Sequence, residues 1–350
     1  MRLSLLDRYL PVWILLAMGL GLALGTFVPG VNELLQSWSI GQTSIPIAVG
    51  LLVMMYPPLA KVRYTEAKRI AGDAKLMTVS VVLNWMLGPA FMFALAWIFI
   101  PDLPELRTGL IIVGLARCIA MVLVWNDLAC GNREAAAVLV AINSIFQVFM
   151  FAVLGWFYLQ ILPGWLGLET ASAQFSFGAI ALSVIVYLGI PLLAGYLSRV
   201  AGEATKGRQW YESTFIPAVS PLALGGLLFT ITLLFSLQGE QLLAQPAAVA
   251  RVAIPLVVYF IGMFAMALLV TWLMKFDYAT STTVAFTAAG NNFELAIAVA
   301  IGTFGATSGQ ALAGTIGPLI EVPVLVALVY VCRWAGPRLF PQTFKEAVNV

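Results

Sequence analysis

Residues 281–303 read Ser-Thr-Thr-Val-Ala-Phe-Thr-Ala-Ala-Gly-Asn-Asn-Phe-Glu-Leu-Ala-Ile-Ala-Val-Ala-Ile-Gly-Thr. The run is long enough to cross a bilayer as a helix, which takes about 20 mostly apolar residues. Yet its middle carries Gly290, Asn291, Asn292 and Glu294, groups that an uninterrupted lipid-facing helix does not tolerate. A helix broken at its centre, with its polar groups turned inward, reconciles the two. The rest of the chain agrees that lipid is the solvent. Of 350 residues, 61% are apolar and 10% charged, with a mean hydropathy of +0.98. A soluble domain has about 45–50% apolar and about 25% charged residues. The 18 basic and 16 acidic residues are too few to cover a soluble surface of this size. The chain reads as an all-α polytopic membrane protein.

Ten apolar stretches lie between charged clusters, near 10–28, 43–60, 76–100, 108–127, 135–161, 175–197, 214–237, 251–274, 281–303 and 310–332. The first is full length and no Ala-x-Ala-type cleavage site follows it, so it reads as a mature helix. Basic residues stay on the cytoplasmic side of membrane proteins. With both termini inside, 15 of the 18 fall there, among them Arg2, Arg8, Arg63, Lys68 and Arg69. Arg107 and Arg251 fall outside, and Arg117 lies within a span.

Composition narrows function. The chain has no histidine, hence no imidazole relay and no Ser-His-Asp triad. Cys118, Cys130 and Cys332 share no Cys-x-x-Cys spacing, so no zinc cage or redox pair is expected. A net charge of +2 does not suggest a nucleic-acid partner. No nucleotide-binding P-loop occurs. No cofactor is called for, and an intramembrane enzyme lacks the groups it needs. Transport driven by a gradient is the class left.

Ten spans divide into two sets of five, residues 1–168 and 169–350, which an odd number per set inserts in opposite orientations. Ser144-Ile-Phe-Gln147-Val-Phe-Met matches Pro318-Leu-Ile-Glu321-Val-Pro-Val at an offset of 174. The same offset lays Arg117-Cys118 onto Asn291-Asn292, and Ile45-Pro46 echoes Ile216-Pro217. Transporters built from inverted repeats bind substrate near the midplane, where interrupted helices of the two halves meet. Gly114-Leu-Ala-Arg117-Cys118 and Ala288-Ala-Gly290-Asn291-Asn292-Phe-Glu294 are the interrupted pair, expected to cross at the site.

Once loop charges are set aside, Arg117, Glu294 and Glu321 remain deep, with Asp127 at a helix end. Intramembrane charges face a partner or an aqueous cavity. Glu294 is either a structural carboxylate paired with Arg117 or a carrier of protons or ions. Glu321 precedes Val322-Pro323 and has the uncharged Gln147 as its repeat mate. It serves either function or hydrogen bonding within the bundle. Asn291 and Asn292 offer amide donors and acceptors for a ligand, or join helices. Cys118 by its residue type is a small buried hydrophobe; its place beside Arg117 and opposite the asparagine pair argues for a ligand. Tyr56-Pro57-Pro58 is read as an architectural helix stop.

The segments Met55–Tyr64, Gly114–Ala129 and Phe286–Ala298 closely resemble the arsenical-resistance permeases, the arsenite exporters of the bile acid, arsenite and riboflavin transporter superfamily. The resemblance spans essentially the whole chain. It implies export of arsenite, in some members antimonite, driven by inward proton flow. It also implies that Cys118 and Glu294, which occupy the family's essential cysteine and glutamate positions, serve transport. Asn291, Asn292 and Glu294 would then bind the hydroxyls of arsenite, with Arg117 setting the local charge. A sodium-coupled organic-anion symporter of the same superfamily is the alternative.

Overall fold

The computed structural model describes residues 9–28, 30–40, 43–62, 72–119, 121–170, 176–244 and 246–349. Arg2, Arg8, Arg63, Lys68 and Arg69, which enter the orientation argument, lie outside the described residues.

Each of the ten apolar stretches folds as a helix or as a helix broken once. The first two are α1 (Leu10–Phe27) and α2 (Ile45–Ala60). A short helix, Val31–Ser37, and a hairpin pairing Ser39-Ile40 with Thr43-Ser44 lie between them. Next come α3 (Ala74–Phe99) and the broken pair α4 (Pro104–Leu115) and α5 (Met121–Leu128). Four long helices follow: α6 (Arg133–Trp165), α7 (Phe177–Lys206), α8 (Arg208–Gln238) and α9 (Pro246–Leu273). The second broken pair is α10 (Tyr278–Ala289) and α11 (Phe293–Phe304), before α12 (Gly309–Leu339) and the short α13 (Thr343–Asn349). Among the described residues, six helices are long and apolar enough to cross a membrane alone: α3, α6, α7, α8, α9 and α12.

Four of these widen into a turn of π-helix, at Val82–Leu87, Phe157–Ile161, Ile185–Gly189 and Tyr211–Phe215. In each case proline stands two residues beyond the wide turn, as Pro89, Pro163, Pro191 and Pro217. Proline has no N–H to donate and its ring crowds the carbonyl four residues earlier. A local i→i+5 register accommodates both while the helix continues. Pro57 and Pro58 do not stop α2 where they stand; they are taken into its last turns and the helix ends at Ala60.

Polarity is inverted relative to a soluble protein. Ile98, Phe149, Leu182 and Leu269 are each more than half exposed, whereas Asn84, Arg117, Asn143, Gln147, Asn291 and Asn292 are buried. Lipid around the bundle makes both favourable, since apolar side chains lose nothing there and polar groups must find partners inside. This is a polytopic membrane protein. Its centre is α4, α10 and α11, most residues of which are buried.

Close packing relies on small residues, as helices in lipid gain little from hydrophobic burial against one another. Gly21 and Gly25 of α1 lie one turn apart against α8. A Cβ on Gly25 would fall 3.0 Å from the carbonyl carbon of Ser236, and one on Gly21 would fall 2.7 Å from Phe235 Cβ.

The antiparallel helices α3 and α9 are tied reciprocally at their ends. Lys75 Nζ, near the start of α3, donates to the Met274 carbonyl after α9 (2.5 Å) and lies 4.3 Å from the Phe276 ring centre. Arg251, near the start of α9, donates to the Phe99 carbonyl that ends α3 (3.2 Å) and grips Asp102 through both guanidinium nitrogens. The Arg251 hydrogen bond holds the Asp102 carboxyl down from the ordinary 3.8 to about 2.

Two outcomes are expected. Gly25→Leu should destabilise the bundle by about 1–3 kcal/mol through overpacking, read as a lower melting temperature in detergent. Because the Asp102 carboxyl is depressed in the folded state, the clamp's stabilisation is complete above about pH 4 and is lost as pH falls toward about 2. Asp102→Asn should therefore remove that part of the acid sensitivity of melting.

Candidate functional site

The centre is built where the two broken helices meet. After α4, Ala116 turns to extended backbone (φ −88°, ψ 123°); after α10, Gly290 does the same (φ −72°, ψ 143°). The extended segments pair antiparallel, with Arg117 opposite Asn291. Cys118 N donates to the Gly290 carbonyl (3.3 Å), and Asn292 N donates to the Ala116 carbonyl (3.2 Å). A helix interrupted in hydrocarbon exposes backbone groups that no water can satisfy. Here each interruption satisfies the other. Two side chains complete the joint: Gln147 Oε1 accepts from Arg117 N (2.9 Å), and Glu321 Oε1 accepts from Asn291 N (3.2 Å).

The asparagines hold the break with one end of each amide. Asn291 Nδ2 donates to the carbonyls of Val113 (2.8 Å) and Ala116 (3.1 Å). Asn292 Oδ1 accepts from Leu295 N (3.0 Å) and so caps α11. The other ends, Asn291 Oδ1 and Asn292 Nδ2, are buried without a partner. Buried polar atoms are nearly always hydrogen-bonded, and this acceptor and donor on adjacent residues are exceptions.

Cys118 lies against this break. A Cβ on Gly290 would fall 3.0 Å from Cys118 Cβ and 3.6 Å from its sulfur, so glycine leaves the thiol its room. Glu294 stands in the first turn of α11, where the positive end of the helix favours a carboxylate. Arg117, Cys118, Asn291, Asn292 and Glu321 are each 5% exposed or less, whereas Glu294 is partly exposed. Glu294 and Glu321 stand close enough for their charges to interact.

The Arg117–Glu294 ion pair suggested by the sequence does not form. Arg117 is fully buried, and no ion pair among the described residues includes it. Its Nη1 donates to the Tyr259 hydroxyl of α9 (2.8 Å) and the Ala288 carbonyl (3.5 Å), and its Nη2 donates to the Gly114 carbonyl. The negative ends of two interrupted helices take the place of a carboxylate. Tyr259 escaped the sequence reading, because a tyrosine in an apolar span does not announce its partner; the signal is only that a buried phenol needs one. Cys130 and Cys332 are not part of this joint. Cys130 follows α5 in a left-handed conformation (φ 59°), and Cys332 contacts the Tyr278 and Thr282 hydroxyls at 3.6 and 3.4 Å.

The profile of the sodium bile acid symporter family matches residues 48–245. Over 341 residues, 97% of this chain and 92% of the other, the sequence is 68% identical to the arsenical-resistance protein Acr3 of Corynebacterium glutamicum. The chain belongs to the arsenical-resistance permease family. More distant relatives extend along the whole permease. The Acr3 protein of Alkaliphilus metalliredigens is 33% identical over 352 residues, covering 97% of this chain and 95% of its own. An uncharacterized transporter of Synechocystis is 37% identical over 350 residues, covering 95% and 89%. This permease is thus a multi-pass membrane transporter of the arsenical-resistance type.

The cap made by the Asn292 oxygen can be tested apart from the amide nitrogen. Asn292→Ala should lower the permease's stability by about 1 kcal/mol through loss of the cap. Asn292→Ser, which keeps a capping oxygen but not the amide donor, should retain most of the melting temperature while still impairing transport.

Proposed function

We propose that this permease exports trivalent arsenite, with antimonite as a second substrate, across the cell membrane in exchange for protons. The observation that carries the reading is the orphan amide acceptor and donor of Asn291 and Asn292 beside the Cys118 thiol. At neutral pH arsenite is an uncharged trihydroxide whose hydroxyls both donate and accept. Asn291 Oδ1 accepts from one hydroxyl and Asn292 Nδ2 donates to another. Cys118 supplies the selectivity: its sulfur bonds arsenic as one As–O bond breaks, and the thiol proton leaves with that hydroxyl as water. A lone thiol makes one such bond, so reversal by water frees the substrate.

Glu294 is the proton carrier in this reading, with Glu321 as its neighbour. Its position in the capping turn of Asn292 places a charge change beside the substrate. Exchange requires that proton and substrate bind in competition, since a gradient acts on transport only through such coupling. Arg117 sets the electrostatic field around both.

The scaffold of the reading is ten crossings in two inverted five-helix repeats, residues 1–168 and 169–350, with crossings four and nine meeting at the site. Support comes from register. The helices α4 and α10 begin 174 residues apart and end 174 residues apart, and α3 and α9 end 174 residues apart. Gln147 and Glu321, also 174 apart, accept from the backbone N–H of Arg117 and Asn291, again 174 apart. Both termini are cytoplasmic in this scheme, which puts the end of the bundle bearing Lys75, Arg133, Lys206, Lys275 and Arg338 inside.

Everted membrane vesicles should take up arsenite when acidified inside. Cys118→Ser should slow that uptake at least about tenfold, equivalent to about 1.4 kcal/mol; unchanged uptake would make Cys118 a packing residue. Glu294→Gln should bind arsenite yet lose its response to the proton gradient, and full proton-driven transport by this variant would remove the carrier role. Glu321→Gln should keep its hydrogen bond to Asn291 N and retain more transport than Glu294→Gln.

A further inference from the structure

We infer that the Arg117 guanidinium is a tethered cation occupying the position where an exchangeable monovalent cation would bind in this scaffold, so that the permease works without sodium. Three features of its surroundings carry this. The first is ligand chemistry. The donors of Arg117 are met by neutral oxygens alone: the Gly114 and Ala288 carbonyls and the Tyr259 hydroxyl. Backbone carbonyls at the C-terminal ends of interrupted helices are how membrane transporters coordinate small cations. A carbonyl set of this kind favours any compact positive charge.

The second is position. Gly114 and Ala288 stand at the last turns of α4 and α10, 174 residues apart, so equivalent carbonyls of the two halves converge on one guanidinium. The charge therefore sits between the halves, where both helix dipoles end. The third is desolvation. Arg117 is 0% exposed and its Nε has no protein partner, so bulk solvent does not share the charge. An ionised group in such a place is costly unless its surroundings compensate it; two negative helix ends do so. Gly88 of α3 keeps the space open, since a Cβ there would lie 2.7 Å from Nη1 and 3.1 Å from the Tyr259 hydroxyl.

A cation fixed to the chain cannot be carried across. It neutralises the converging helix ends permanently, leaving the proton as the only cation free to couple to substrate. Sodium is the ion to test, because the matching family profile is that of sodium symporters.

The experiment uses full-length protein, purified for melting and reconstituted for arsenite flux, in sodium chloride or in choline chloride of equal ionic strength. Wild type should be indifferent to the exchange in both measurements. Arg117→Ala should lose most flux in choline and recover several-fold on adding sodium or millimolar guanidinium. Its melting temperature should rise by about 2–4 °C in sodium relative to choline, as expected for a ligand that binds the folded state. Arg117→Lys, which keeps a charge, should remain indifferent to sodium. The inference is overturned if Arg117→Ala responds to neither cation in melting and flux, or if wild type or Arg117→Lys depends on sodium; the last two hold even where Arg117→Ala does not fold. The flux arm rests on the arsenite-transport reading and the melting arm does not. Absence of arsenite flux in wild type would therefore remove that reading and leave the cation test standing.

Discussion

Everything at the centre of this molecule depends on two backbone hydrogen bonds, Cys118 N to the Gly290 carbonyl and Asn292 N to the Ala116 carbonyl. In water an interrupted helix is cheap, because solvent takes over the exposed amides. In lipid it is not, as each unsatisfied backbone group costs several kcal/mol. The pairing of one break with the other removes that cost for both at once, and neither break would be tolerable alone. It also fixes what can stand there. Residues 116–118 and 290–292 must be extended and in one register, which puts Arg117, Cys118, Asn291 and Asn292 on a joint that no single continuous helix could form.

The surrounding bundle is arranged so that this joint stays in register. Gln147 and Glu321 reach in from α6 and α12 to take the two backbone N–H groups left at the bridge itself. Asn84 and Asn143 are buried on neighbouring helices, the latter bonded to the Trp85 indole (3.0 Å). The wide turns before Pro89, Pro163, Pro191 and Pro217 let long helices carry proline without ending. Proline is admissible in membrane helices because local π-type adjustment and neighbouring groups satisfy what it frees. Small residues at Gly21, Gly25 and Gly114 then bring backbones and side chains close enough to pack without the hydrophobic drive available in water.

How much of this was legible beforehand follows from which atoms carry each feature. The solvent was legible from composition, and the broken helices from Gly290-Asn291-Asn292, because both are written in side-chain types. The offset of 174 was legible as faint similarity around Gln147 and Glu321; that the two residues do the same job was not, since their partners are backbone amides. The partners of Arg117 were not legible for the same reason. A sequence displays carboxylates and hides carbonyls, so Glu294 was one candidate counter-charge, whereas the compensation comes from helix ends at Gly114 and Ala288. The capping of α11 by Asn292 was hidden likewise. An asparagine looks the same whether it caps a helix, binds a ligand, or divides its oxygen and nitrogen between the two.

Under the proposed repeat, the frame is nearly symmetric and the chemistry is not. The bridge, the two accepted N–H groups and the two converging carbonyls recur in both halves. At the positions that face the joint, however, one half contributes Arg117, Cys118 and Gln147, and the other Asn291, Asn292 and Glu321, with Glu294 one turn on. A symmetric frame suits a carrier whose two end states interchange the roles of its halves, for neither state is then strongly preferred and a modest differential affinity shifts the balance. Asymmetric chemistry is what gives that balance a direction. The fixed positive charge and the thiol belong to one side of the joint, the amides and the titratable carboxylates to the other. In the proposed exchange, substrate held between them would contact both halves at once, while a proton on Glu294 would alter only one. That difference would let two ligands compete for a single site within a scaffold that treats its two faces alike.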